Sequence, residues 1–133
     1  MNKPVKILCI AEAFGFGPAS KLMILLRHMP ELPVELTFMG TGCAYELCRK
    51  GRFNRWVQAD PTEGSLGSPL HEELLRHHVL ITAMEFSPLK KARSMGLRTI
   101  VFDSLFWMWP EPPCRPEDVD LYLCQNFIGV KER

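Results

Sequence analysis

Three acids stand where the chain passes out of an apolar run: Glu12, Glu85 and Asp103. A carboxylate in a partly desolvated crevice can take a proton from a hydroxyl or amine, so each is a candidate general base. Each also has a plainer use, in capping a helix or pairing with a lysine. Close behind Glu12 runs Phe14-Gly15-Phe16-Gly17-Pro18-Ala19-Ser20-Lys21. If a strand precedes this stretch and a helix follows it, its amides and the helix dipole can cradle a phosphate or another anion, and Lys21 adds a cation. The simpler reading is a tight turn whose glycines supply unusual dihedrals. Thr41 with Gly42, Ser104, and Gln125 with Asn126 end other apolar runs and extend the candidate binding set to Phe14, Gly15, Phe16, Gly17, Ser20, Thr41, Ser104, Trp107, Gln125 and Asn126. Trp107 and Trp109 alternate in the densest aromatic stretch, so one faces the core and the other a crevice or partner, where an indole can stack on a sugar or base.

Other chemistries fail on spacing. A dinucleotide fingerprint starting at Gly15 and Gly17 meets Ser20 where its third glycine belongs, and Met39-Gly40-Thr41 offers no acid for a ribose hydroxyl. A P-loop needs lysine before the hydroxyl residue, and here Lys21 follows Ser20. No bound cofactor is expected. The five cysteines, Cys9, Cys43, Cys48, Cys114 and Cys124, include no CxxC pair and no histidine pair completes a zinc set, so reduced thiols and no metal are expected. His28, His71, His77 and His78 map to helical segments, away from the loops that carry the acids.

The elements that position these residues alternate from end to end. Residues 5–10 form a nearly continuous apolar run, as in a strand buried on both faces. Further strands are predicted at 34–39, 55–58, 79–83, 99–102 and 121–124, and helices at 18–29, 45–50, 69–77 and 88–95. Ser68 and Pro69 are placed to start one helix, Ser87 and Pro88 another; Gly51 and Gly96 are placed to stop two. Residues 60–67 read as a polar loop. Lys90, Lys91 and Arg93 read as a solvated helix face. Strands separated by helices imply right-handed βαβ crossovers and a parallel sheet, a doubly wound α/β (Rossmann-like) domain of six strands. In the order 3-2-1-4-5-6 the ligand crevice opens between the first and fourth strands, beside Glu12 and Glu85.

The chain has 133 residues, 47% hydrophobic and 23% charged, with 16 basic against 15 acidic residues. That length suits one domain with its own core. The charge balance argues against nucleic acid or an anionic membrane as partner. The longest uncharged runs, 36–45 and 121–130, fall well short of the roughly 18 residues a membrane helix needs, and residues 7–11 are too short a run for a signal peptide. A cytoplasmic chain is expected.

A first strand running into Phe14-Gly15-Phe16-Gly17-Pro18-Ala19-Ser20-Lys21 resembles the start of a GT-B glycosyltransferase. The strand at 79–83 with Glu85, residues 99–103, and residues 121–126 resemble later strand ends of that family. The resemblance covers the whole chain, as the N-terminal half of such an enzyme. The glycine loop and Asp103-Ser104-Leu105-Phe106-Trp107 are similar to cytosylglucuronate-synthase-like members. In that family two Rossmann-like domains face each other across a cleft; the N-terminal one receives the acceptor and the C-terminal one binds the nucleotide-sugar. The resemblance therefore implies an acceptor-binding half that deprotonates a hydroxyl for attack on an anomeric carbon, with a nucleotide-sugar as co-substrate. It also implies inactivity without a C-terminal donor domain. Many members place a histidine base in the first glycine loop, where Phe16 and Gly17 stand here, so Glu12, Glu85 or Asp103 must serve. The ending, Gln125-Asn126-Phe127-Ile128-Gly129-Val130, reads as a loop entering another helix, so a missing second half is expected. The alternatives are a stand-alone small-molecule or protein-binding module, or one subunit of a split enzyme. A partner subunit or a second copy would then cover the exposed face.

Overall fold

The computed structural model describes residues 3–29, 33–105 and 108–124. Its elements run β1 (Val5–Ala11), α1 (Gly17–Arg27), β2 (Val34–Gly40), α2 (Gly42–Cys48), β3 (Arg55–Gln58), α3 (Pro69–Arg76), β4 (Val79–Ala83), α4 (Leu89–Ser94), β5 (Arg98–Asp103), a 3-10 turn (Pro116–Asp118) and β6 (Leu121–Cys124). The six strands form one sheet in the order β3-β2-β1-β4-β5-β6, and every neighbouring pair is parallel. The architecture is the Rossmann-like α/β arrangement expected from the alternating runs.

Strand periodicity divides the core in two. Ile7, Cys9 and Ala11 of β1 face one side and pack with Ala19 and Leu22 of α1 and Ala44 and Cys48 of α2. Leu8 and Ile10 face the other, with Leu70 and Leu74 of α3 and Leu89 and Ala92 of α4. Helices on both faces explain why β1 is apolar without alternation. Short helices such as α3 are marginal alone and are held by this packing, where each buried leucine contributes about 1.5–3 kcal/mol. Buried Glu73 of α3 adds a paired charge: Arg55 at the start of β3 donates to it twice, at 2.6 and 2.5 Å.

Ser68 caps α3 as expected, accepting from the His71 amide at 3.1 Å, with Pro69 in the first turn. Gly96 stops α4 at φ +88°, while Leu97 N–H donates to Ala92 O. Other boundaries differ. The second helix starts at Gly42 rather than at residue 45. Pro88 itself occupies the cap position of α4 and Ser87 does not bond the helix. Gly51 is no left-handed stop; it sits in a tight space where a Cβ would lie 2.9 Å from Met23 Sδ of α1 and 3.1 Å from the Phe53 ring. His77 and His78 lie just beyond α3 rather than within it.

Candidate functional site

β1 and β4 are neighbours, yet β1 leads outward to β2 and β4 to β5, so the sheet switches direction between them. Loops after the carboxyl ends of these strands flank the crevice of such a sheet. Ala11 pairs with Ala83, and the Glu12 amide extends the ladder by donating to Ala83 O at 3.0 Å. Glu12 and Glu85 therefore stand at adjacent strand ends.

Glu12 is half-buried and its Oε1 accepts from the Phe14 amide at 3.0 Å, folding the chain into the glycine loop. Gly15 then takes φ +84°, a region that favours glycine. Phe14 and Phe16 stand out from the loop, 87% and 57% exposed. A Cβ on Gly15 or Gly17 would meet nothing within 4 Å, so the space before this backbone is open. Phe16 caps α1 without a side-chain hydrogen bond, and no acid lies in the first turn. Among the described residues the helix thus begins with no side-chain cap and no competing carboxylate in its first turn. Ser20, one turn in, donates its hydroxyl back to Gly17 O at 3.2 Å.

At β4 the chain makes a turn that the sequence does not announce. Met84 has φ +62°, the sole positive φ among described non-glycine residues. For a bulky side chain this conformation is strained, and such strain gathers where geometry serves a site. The turn is held at both ends: the Met84 amide donates to Phe102 O at 3.0 Å, and Met84 Sδ accepts from the Ser104 amide at 3.2 Å. Glu85 follows, its Oε1 accepting from the Ser87 amide at 3.2 Å and the Ser87 hydroxyl at 2.7 Å. In both Glu12 and Glu85, Oε2 accepts no hydrogen bond among the described residues.

Asp103 is different. It is fully buried, its Oδ1 accepts from the Leu105 amide at 2.8 Å, and its Oδ2 accepts from the Trp109 indole at 2.7 Å and from the Tyr122 hydroxyl. Burial, the bond to Asp103 and that carboxylate's charge push the Tyr122 phenol well above its ordinary range. The Cys114 and Cys124 thiols are also raised, first by burial and then by nearby carboxylates including Asp103. Three donors and no solvent give Asp103 the geometry of an anchor. Trp109 is half-buried, held by Asp103 and set edge-on to Phe86 with centroids 6.3 Å apart, so it ties the segment after β5 to the loop carrying Glu85.

Thr41 is the extended cap of α2, and Gly42 beside it takes φ +61° with a would-be Cβ 3.0 Å from Ala13 O. The loop after β2 therefore packs against the loop after β1, bringing Thr41 to the same edge. Trp107, Gln125 and Asn126 lie outside the described residues. Gly42 is brought to this edge beside Thr41, whereas the left-handed backbone of Met84 and the ring contact of Phe86 with Trp109 carry no signal in the sequence.

All five cysteines are free. Burial pushes the Cys48 thiol up to about 12 and Cys9 higher still, so neither is a nucleophile at neutral pH. Among the described residues no cluster of histidine, cysteine and acid could hold a metal ion, and no helix is long and apolar enough to cross a membrane. Comparison with protein-family models, curated proteins and solved structures finds no match to this chain.

Proposed function

We propose that this chain is the acceptor-binding half of a nucleotide-sugar-dependent transferase, with the crevice between β1 and β4 as the acceptor site. The observation that carries the reading is the pairing, at one edge of the sheet, of two carboxylates that keep an open oxygen with a glycine loop that exposes two phenylalanines. Glu12 or Glu85 takes the proton from an acceptor hydroxyl. The freed oxygen bonds to the anomeric carbon of the sugar, and the bond from that carbon to the nucleoside diphosphate breaks. Phe14 and Phe16 offer flat apolar faces to a sugar or base. Asp103 acts as the anchor that holds Trp109 over the Glu85 loop rather than as the base.

Large exposed apolar residues gather on loops at this same edge: Phe14 and Phe16 after β1, Leu66 after β3 at 86% exposed, and Met108 after β5. Such residues suit a surface that a second domain covers, which favours the transferase half over a free-standing binding module. The donor's uridine and diphosphate belong to that second domain.

Calorimetric titration of the purified protein tests the reading. Hydroxyl-bearing acceptors (free nucleosides and simple glycosides) should include binders that weaken about tenfold or more when Phe14 and Phe16 are both changed to alanine. Uridine diphosphate glucose alone should not bind at submillimolar concentration. Tight binding of that donor, or a panel with no binder, would overturn the proposal.

A further inference from the structure

At the opposite, amino-terminal end of the sheet lies a cleft of about 610 Å³ that the reading above does not use. Its floor comes from the strands. Lys6 of β1 is in register with Glu35 of β2, and Thr37 with Arg55 of β3, so these four side chains share one face of the sheet. Its wall is the end of α3, with Leu75, Arg76 and His77. The volume falls within the range of small-molecule sites, roughly 300–1,000 Å³.

The charges in this cleft are not matched. Glu73, almost buried, accepts two hydrogen bonds from Arg55 and also lies 4.0 Å from Arg76, so a single carboxylate serves two guanidinium groups. Lys6 forms no ion pair among the described residues, and neither does Glu35. The three cations therefore outnumber the two carboxylates. Two carbonyls in the last turn of α3 are already engaged: His77 Nδ1–H donates to Glu73 O at 2.6 Å, and the His77 amide donates to Leu74 O. Asn54 Oδ1 accepts from the Leu36 amide at 2.8 Å, which leaves the side-chain NH₂ as a neutral donor on the same rim. Bidentate bonding to Glu73 fixes Arg55 in place before any ligand arrives, which lowers the ordering cost of binding.

We propose that this cleft binds a phosphate group, with Lys6 and Arg76 as its principal cationic contacts and Arg55 as a preset part of its wall. The volume exceeds that of a phosphate ion, so a phosphorylated small molecule fills it better. This site does not depend on the transferase reading.

The test is an amide-resolved NMR titration of the purified protein with inorganic phosphate and, separately, with glucose 1-phosphate, at constant ionic strength set by sodium chloride. Saturable shifts should centre on Lys6, Arg55, Arg76 and His77, and Lys6→Gln and Arg76→Gln should each weaken binding about three- to tenfold. Both side chains reach solvent, and unchanged unfolding midpoints will show that the variants fold. Tighter binding of glucose 1-phosphate assigns the site to a phosphorylated metabolite; equal binding assigns it to free phosphate; either supports a phosphoryl site. No saturable shift up to about 10 mM of either probe, or shifts that both substitutions leave unaltered, would overturn it.

Discussion

Trp109 gives its indole N–H to Oδ2 of Asp103, six residues earlier in the chain, across 2.7 Å. Its ring meets Phe86 edge-on, so one side chain joins the end of β5 to the loop after β4. Met84 Sδ and the Ser104 amide make a second stitch between the same two loops. Glu85 sits between the stitched residues, and its position is thereby set by tertiary contacts on both sides.

Replacing Asp103 with alanine removes the acceptor for the Leu105 amide, the Trp109 indole and the Tyr122 hydroxyl at once. Losing one acceptor shared by three part-buried donors is costly, and a loss of about 2–4 kcal/mol in urea unfolding is expected. Trp109→Phe, which keeps an aromatic ring beside Phe86 and loses the hydrogen bond to Asp103, should cost less, about 1 kcal/mol.

Met84 provides a test of backbone strain. Alanine at this position keeps the cost of φ +62° and forfeits the thioether contact, whereas glycine forfeits the contact and relieves the dihedral. Met84→Gly should therefore be more stable than Met84→Ala by about 1 kcal/mol, the reverse of the order for an ordinary exposed loop residue. Thermal unfolding of the pair at equal pH measures the difference.

The buried His77 imidazole sets a pH dependence. Burial is the main influence holding it below its ordinary value; Glu73 opposes this, while Arg55 and Lys6 reinforce it. Because the folded value is depressed, the unfolded chain binds the proton first on acidification. The stabilisation linked to neutral His77 is complete above the unfolded value of about 6.5 and is lost as pH falls from there through the folded value. Stability should drop as pH falls below about 7, and His77→Gln should flatten that part of the curve. Urea midpoints measured across this range, for the protein and the variant, check the sign.

Much of the scaffold was legible in the sequence because strands buried on both faces leave continuous apolar runs, as in Ile7 to Ala11. Ser68 and Gly96 marked helix ends through local chemistry that a sequence carries directly. Gly51 does not take the left-handed backbone of a helix stop; what surrounds it is tertiary, the Met23 side chain of α1 and the Phe53 ring. The start of α2 was missed because Gly42 is fixed by Ala13 across a loop contact and not by helical periodicity. In the site, strand ends located Glu12, Glu85 and Asp103, but their unequal surroundings were hidden. The partners of Asp103 arrive from 6 and 19 residues onward, and only folding brings them to its carboxylate. The left-handed turn at Met84 carries no glycine to announce it.

The central claim is that the crevice between β1 and β4 receives the acceptor, and amide-resolved NMR of the protein titrated with a binding nucleoside or glycoside tests it most directly. The account predicts that the largest shifts fall on Glu12 to Ser20, on Thr41 and Gly42, and on Met84 to Ser87. Shifts centred instead on Lys6, Arg55, Arg76 and His77, with the glycine loop unmoved, would contradict it.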